Sequence, residues 1–155
     1  MDNNDVIRRI RYTFNFNDSK MIELFGMGGL KVTRAQISNW LKKDDDSDFQ
    51  ELSDLELAIF LNGFIVEKRG KREEALPEPE KVLINNIILI KIKIALALKN
   101  DDILAILELA KLRVSKHELS AFFRNPKQNQ YRLCKDQILR NFLYGLQIKY
   151  HDKKK

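Results

Sequence analysis

The sequence has little of what usually fixes a small protein's chemistry. Cysteine occurs once, at Cys134, so no disulfide can close within the chain, and the composition suits a reducing compartment. Histidine occurs twice. His117 falls in the first turn of an expected helix and His151 in a tail. Neither stands at zinc-ligand or triad spacing from a Cys, Ser or Asp. Every apolar run is broken by Lys, Asn or Gly well short of the ~20 residues that a membrane-spanning helix needs. The opening Met1-Asp2-Asn3-Asn4-Asp5 is acidic and polar, unlike a signal peptide. These absences place the protein in the cytoplasm, without a membrane partner, disulfide framework or cofactor signature.

What is present is a core-forming composition with an uneven charge. Apolar residues make up 44% of the 155 positions, and a domain of this length buries roughly 70% of its unfolded surface. The net charge of +6 is not spread evenly. Residues 1–72 carry 12 basic and 12 acidic side chains, residues 73–80 carry four Glu and no base, and residues 81–155 carry 16 basic and 6 acidic ones. A basic second half permits attraction to nucleic acid or to an acidic protein without specifying either.

The strongest signal is an internal repeat. Shifted by 82 positions, the chain aligns with itself without a gap. Asn3-Asn4 falls on Asn85-Asn86, Ile10 on Ile92, and Arg9 and Arg11 on Lys91 and Lys93. Leu30 to Arg34 falls on Leu112 to Lys116, and Trp40-Leu41 on Phe122-Phe123. Asp54 falls on Asp136, Phe60-Leu61 on Phe142-Leu143, and Gly63 on Gly145. Four units follow: repeat one at 1–70, an acidic proline-containing linker at 71–82, repeat two at 83–150 and a basic tail at 151–155. The linker's Pro77, Pro79 and glutamates predict an extended, solvated strap. A unit of about seventy residues is marginal alone, so the copies are expected to share a core with pseudo-twofold symmetry.

Each copy reads as four helices. The first spans about Asp5 to Asn15, with Val6, Ile7, Ile10 and Phe14 on one stripe, and about Ile87 to Leu98 in the second copy. There Ile90 to Ile94 alternates like a strand, but the following Ala-Leu-Ala-Leu favours helix. The second helix covers Lys20 to Phe25 and Asp102 to Leu109, with caps from Asn100-Asp101-Asp102 and a stop at Gly26-Met27-Gly28-Gly29. The third opens on capping boxes, Thr33 with Gln36 and Ser115 with Glu118. The fourth is the longest, capped by Ser53 with Glu56, and its run Leu55 to Val66 is apolar nearly all round, so it should be central. Gly63 and Gly145 recur in mid-helix, which points to a close crossing, with a contact between the copies as one candidate. The fold class is therefore all-α: two tandem pseudo-symmetric four-helix repeats in one bundle-like domain.

Several stretches carry a resemblance: Phe60-Leu61-Asn62-Gly63-Phe64-Ile65-Val66-Glu67-Lys68-Arg69-Gly70, Arg11-Tyr12, Trp40-Leu41-Lys42, Asn85-Asn86, Asn100 to Leu107, and Gln137 to Gly145. Together they resemble the YehS family of bacterial proteins, a domain of unknown function. The resemblance implies a bacterial cytoplasmic protein of two related helical halves. It supplies no activity, substrate or catalytic residue.

Candidate sites are few. Asp44, Asp46 and Asp48 have the first three spacings of a calcium loop, but Phe49 stands where the turn glycine belongs and Leu55 where the bidentate acid belongs. The acidic run thus reads as a solvated loop. Cys134 aligns with the apolar Leu52 and reads as a buried thiol. Gly26-Met27-Gly28-Gly29 lacks the Lys-Ser/Thr of a phosphate loop. No catalytic constellation is legible, and an enzyme is not expected.

Two binding readings remain. In the first, the second helix, its turn and the third helix form a helix-turn-helix-like unit. Arg34, Ser38 and Lys42 then share one face, repeated as Lys116, Ser120 and Arg124, and the stripe holds DNA or RNA phosphates. In the second, which we favour, the protein is an adaptor for an unidentified protein partner. Tyr12, Phe16, Ile94 and Leu98, off the main apolar stripe of the first helix, form its contact patch.

Overall fold

The computed structural model describes residues 1–71 and 76–152. The linker residues 72–75 and the tail residues 153–155 lie outside the described residues. Among the described residues every regular element is a helix. Repeat one holds α1 (Asn3–Phe14), α2 (Asp18–Met27), α3 (Arg34–Leu41) and α4 (Asp54–Arg69). Repeat two holds α5 (Asn85–Ala95), α6 (Asn100–Leu109), α7 (Lys116–Phe122) and α8 (Asp136–Leu146), which runs into a π-helical turn at Gln147–His151. The alternating isoleucines Ile90 to Ile94 are helical, within α5.

The helix starts follow the caps. Thr33 with Gln36, Ser53 with Glu56 and Ser115 with Glu118 each form a reciprocal capping box. One further box was not anticipated: Asp2 and Asp5 cap α1. At the start of α6 Asp102 accepts from the Lys99 backbone N–H at 2.8 Å, without a side-chain cap in return. Asn100 and Asp101 are thereby inside the first turn of α6 rather than ahead of it.

The helix stops explain the glycines. α2 runs through Gly26 and ends beyond Met27, where Gly29 takes φ 105° and Leu30 N–H bonds back to the Phe25 carbonyl at 2.9 Å. At the matching point of repeat two, Lys111 takes φ 61° and Leu112 N–H reaches the Leu107 carbonyl at 3.0 Å. The same left-handed stop is thus made with a lysine. Asn15 (φ 56°) and Ala97 (φ 53°) end α1 and α5 the same way, so α5 stops at Ala95 and Leu98 lies beyond it rather than within it.

α4 is buried from Leu57 through Phe64, all round its axis, because α2 covers one side and α5 the other. The close crossing lies within each repeat, not between them. A Cβ on Gly63 would sit 1.7 Å from the Leu24 carbonyl oxygen of α2, and one on Gly145 would sit 2.1 Å from that of Ile106 in α6. The repeats join reciprocally, as a pseudo-twofold requires: α5 packs on α4, and α1 packs on α8 and its π-helical turn. Phe14 of α1 meets both Phe64 of its own repeat (5.2 Å between centroids) and Tyr150 of the other (5.3 Å). One apolar core therefore spans both copies.

Candidate functional site

The repeated Asn-Asn pair holds each first helix to the loop between its third and fourth helices. Asn4 Nδ2 donates to the carbonyls of Trp40 (2.9 Å) and Gln50 (2.8 Å), and its Oδ1 accepts from Leu52 N–H (3.0 Å). Asn86 repeats this with Phe122 (3.1 Å), Arg132 (2.8 Å) and Cys134 (2.8 Å). Asn3 and Asn85 donate to Asp54 and Asp136, each at 2.7 Å. Both buried asparagines are therefore occupied with structure, and neither is available for chemistry. Cys134 is buried, and desolvation pushes its thiol up to about 12, far from the range of a nucleophile.

The basic stripe does not form as one helical face. α3 ends at Leu41 and α7 at Phe122, so Lys42 and Arg124 lie past the helix ends. Lys42 Nζ is 3.5 Å from Asp48, and Arg34 pairs with Asp18 at 3.5 Å while donating to Ser19. Lys116 pairs with Asp101 at 3.6 Å. Ser38 is exposed and Ser120 half-buried. Residues 28–33 join α2 to α3, longer than the roughly three to four residues of a tight helix-turn-helix. The neighbouring acidic loop is a turn in which Asp46 accepts from Asp48 N–H at 2.9 Å. Among the described residues no three His, Cys, Asp or Glu side chains are placed to hold a metal, and no helix is long and apolar enough to cross a membrane.

The four apolar candidates separate into two places. Tyr12 is half exposed, but His151 stacks on its ring at 4.2 Å. Phe16 packs edge-on against Phe64. Leu98 is buried, and Ile94 is 43% exposed. Ile94 and Leu98 line one open groove of about 410 Å³ with Ile90, Phe123, Lys93 and Arg69. Lys93 Nζ lies 4.3 Å over the Phe123 ring and donates to Asn100 at 3.0 Å, so one rim is a fixed cation. In repeat one the matching positions are Arg8, Arg11, Tyr12, Phe16 and Leu41, and His151, which matches Arg69, stacks on Tyr12.

A second cleft, about 290 Å³, opens between α1 and α8 and is lined by Met1, Asp5, Arg8, Arg9 and Arg140. Arg8 holds Asp5 at 2.8 Å. Burial alone would raise the Asp5 carboxyl, but Arg8 and the Asp2 backbone together bring it below its ordinary range. Asn85 and the N-terminal amine hold Asp136 low, the amine at 3.3 Å. Sequence reasoning did not single out this cluster. Its legible trace is Arg140, a base where the other copy has the buried Ala58.

Two reciprocal four-helix repeats sharing one core, with open clefts on the surface, define a tandem-repeat all-α protein. The chain belongs to the family described as Protein of unknown function (DUF1456), whose model matches it twice, over residues 3–70 and 85–151. It is similar to the Uncharacterized protein YehS of Escherichia coli (strain K12), at 45% identity over 155 residues and 99% of each chain. No solved structure matches it.

Proposed function

We propose that the chain works by binding another protein rather than by catalysis, and that the Ile94 groove is its contact surface. The observation that carries this reading is the groove itself. Ile90, Ile94, Leu98 and Phe123 give an apolar floor, and Lys93 and Arg69 stand on its rim. Such a floor with cationic rims suits an amphipathic segment with apolar anchors and acidic flanks. A nucleic-acid reading has less support, because Arg34, Lys42 and Lys116 already face Asp18, Asp48 and Asp101.

The test is a capture experiment from bacterial lysate with the wild-type chain, Ile94→Glu and the double variant Lys116→Glu/Arg124→Glu, each with and without nuclease. The expected result is a stoichiometric protein that survives nuclease and ~0.5 M salt and is lost with Ile94→Glu. A catch that disappears with nuclease, falls steeply with salt and depends on Lys116 and Arg124 would overturn the reading in favour of nucleic acid.

A further inference from the structure

The internal repeat supplies its own comparison structure, because what fills a place in one half shows what the matching place in the other half can hold. The strap ahead of α5 is anchored where Leu83 N–H donates to Asp54 at 2.9 Å. At the matching point the Met1 amine donates to Asp136 at 3.3 Å. Upstream of Leu83, the strap crosses the α4–α5 side. Pro77 offers its carbonyl to Asn62 Nδ2 at 3.4 Å, and Glu80 Oε1 lies 3.0 Å from Lys91 Nζ, an ion pair without hydrogen-bond alignment. Lys91 also donates to Asn62 Oδ1 at 2.6 Å and is only 6% exposed. The strap is therefore not wholly solvated; its acid neutralises a buried base of repeat two.

On the α1–α8 side the equivalent of Lys91 is Arg9, and the equivalent of Asn62 is Tyr144, which is 46% exposed. Ala58, fully buried on the covered side, is matched by the exposed Arg140. Among the described residues Arg9 and Arg140 make no ion pair within 4 Å, although the charge of Arg140 helps to lower Asp136 one turn away, whereas Arg8 is held by Asp5. The open side thus keeps a base at the Lys91 position, has a half-exposed phenol in place of the amide, and adds a second guanidinium.

We propose that the cleft between α1 and α8 binds an extended acidic segment of a partner protein, seated as Pro77 to Glu80 are seated on the other side. A glutamate carboxylate lies between Arg9 and Arg140, which both line the cleft. Guanidinium groups pair with carboxylate through two parallel bonds, which a lysine cannot do. Asp5 and Asp136 border the cleft, so a long polyphosphate track is disfavoured there while a single carboxylate fits. This surface is separate from the Ile94 groove, and its test does not depend on that groove.

The probe is a capped peptide with the sequence of residues 76–82, titrated into the isotope-labelled full chain at low salt and followed by amide chemical shifts. Saturable shifts are expected near Arg9, Arg140 and Tyr144, with half-saturation on the order of 0.1–1 mM for so short a ligand. Replacing both peptide glutamates by glutamine should weaken binding at least ~10-fold, as should Arg9→Glu/Arg140→Glu, while Lys127→Glu should not. The all-glutamine peptide leaves the protein untouched, so the result stands even if the double variant folds poorly. Absence of saturable shifts, equal binding of the glutamine peptide, or tighter binding of a single-stranded oligonucleotide at the same residues would each overturn the proposal.

Discussion

At the scale of single residues, the polar positions that recur unchanged between the copies, Asn3-Asn4 with Asp54 and Asn85-Asn86 with Asp136, are structural. Asn4 and Asn86 each satisfy one carbonyl of the last turn of α3 or α7 and a carbonyl and an N–H of the loop that follows, which has no regular ladder of its own. Alanine at either position strands three backbone groups, two of them in buried bonds and one in a part-buried bond. At roughly 1 kcal/mol per lost bond, with a further penalty for burial, Asn4→Ala and Asn86→Ala should each cost about 2–4 kcal/mol in urea unfolding. A loss below ~1 kcal/mol would mean that water replaces the staple. Cys134 illustrates the other kind of residue. Its thiolate is suppressed up to about pH 12 by burial, so thiol reagents at pH 8 should label the native chain orders of magnitude more slowly than the urea-unfolded chain. Rapid native labelling would show that the loop Leu133 to Lys135 opens locally. The sequence pointed to the Asn pairs by their recurrence and to the buried thiol by its alignment with Leu52. It could not point to the bonding partners, because residues 36 and 46 positions away meet only once the helices pack.

At the scale of the helix, the caps were legible and the stops only half so. Capping boxes are local four-residue signals, and three of them fall where the spacing put them. The stops depend on which residue takes the left-handed turn. Gly29 announces itself, while Lys111 and Ala97 do the same work without a sequence signature. A β-carbon in that conformation costs roughly 1–2 kcal/mol. Lys111→Gly should therefore raise stability by about 0.5–1 kcal/mol after its own entropic cost, measured as a shift of the urea midpoint at constant slope. An unchanged or lowered midpoint would argue that the Lys111 side chain makes a compensating contact. The mid-helix glycines behave oppositely. Gly63→Ala and Gly145→Ala drive a methyl into a backbone carbonyl that cannot swing away, and α2 or α6 must lift off its partner. Each should cost more than ~3 kcal/mol. Gly26→Ala, with nothing within 4 Å of the added methyl, should be neutral or stabilising by up to ~1 kcal/mol. If Gly63→Ala and Gly26→Ala melt alike, the close crossing is not what preserves the glycine.

At the scale of the whole chain, reciprocity decides what each half can do alone. α4 is buried on every side only because α5 of the other repeat covers it, and α1 is covered in return by α8 and the π-helical turn. That exchange was only partly legible in sequence. The 82-residue register requires two like units, and the all-round apolar face of α4 requires two neighbours, but nothing in one strand of letters says that the second neighbour comes from the other copy. The open α1–α8 cleft was less legible still, because it is defined by a difference between the halves, Arg140 against Ala58, that has meaning only once the pseudo-twofold is known. A fragment of residues 1–70 would leave bare the α5 side of α4, where Asn62 meets Lys91, and the outer side of α1, where Phe14 meets Tyr150. Because a unit of that size has little core to spare, the isolated fragment should show helical circular dichroism without a cooperative melt. The full chain should unfold in one transition with coincident probes. Adding residues 76–155 in trans should restore a cooperative transition if the interface alone is missing. A fragment 1–70 that melts cooperatively within ~10 °C of the full chain would instead make the repeats two independent domains, and the groove and cleft would then be properties of separate units rather than of one shared core.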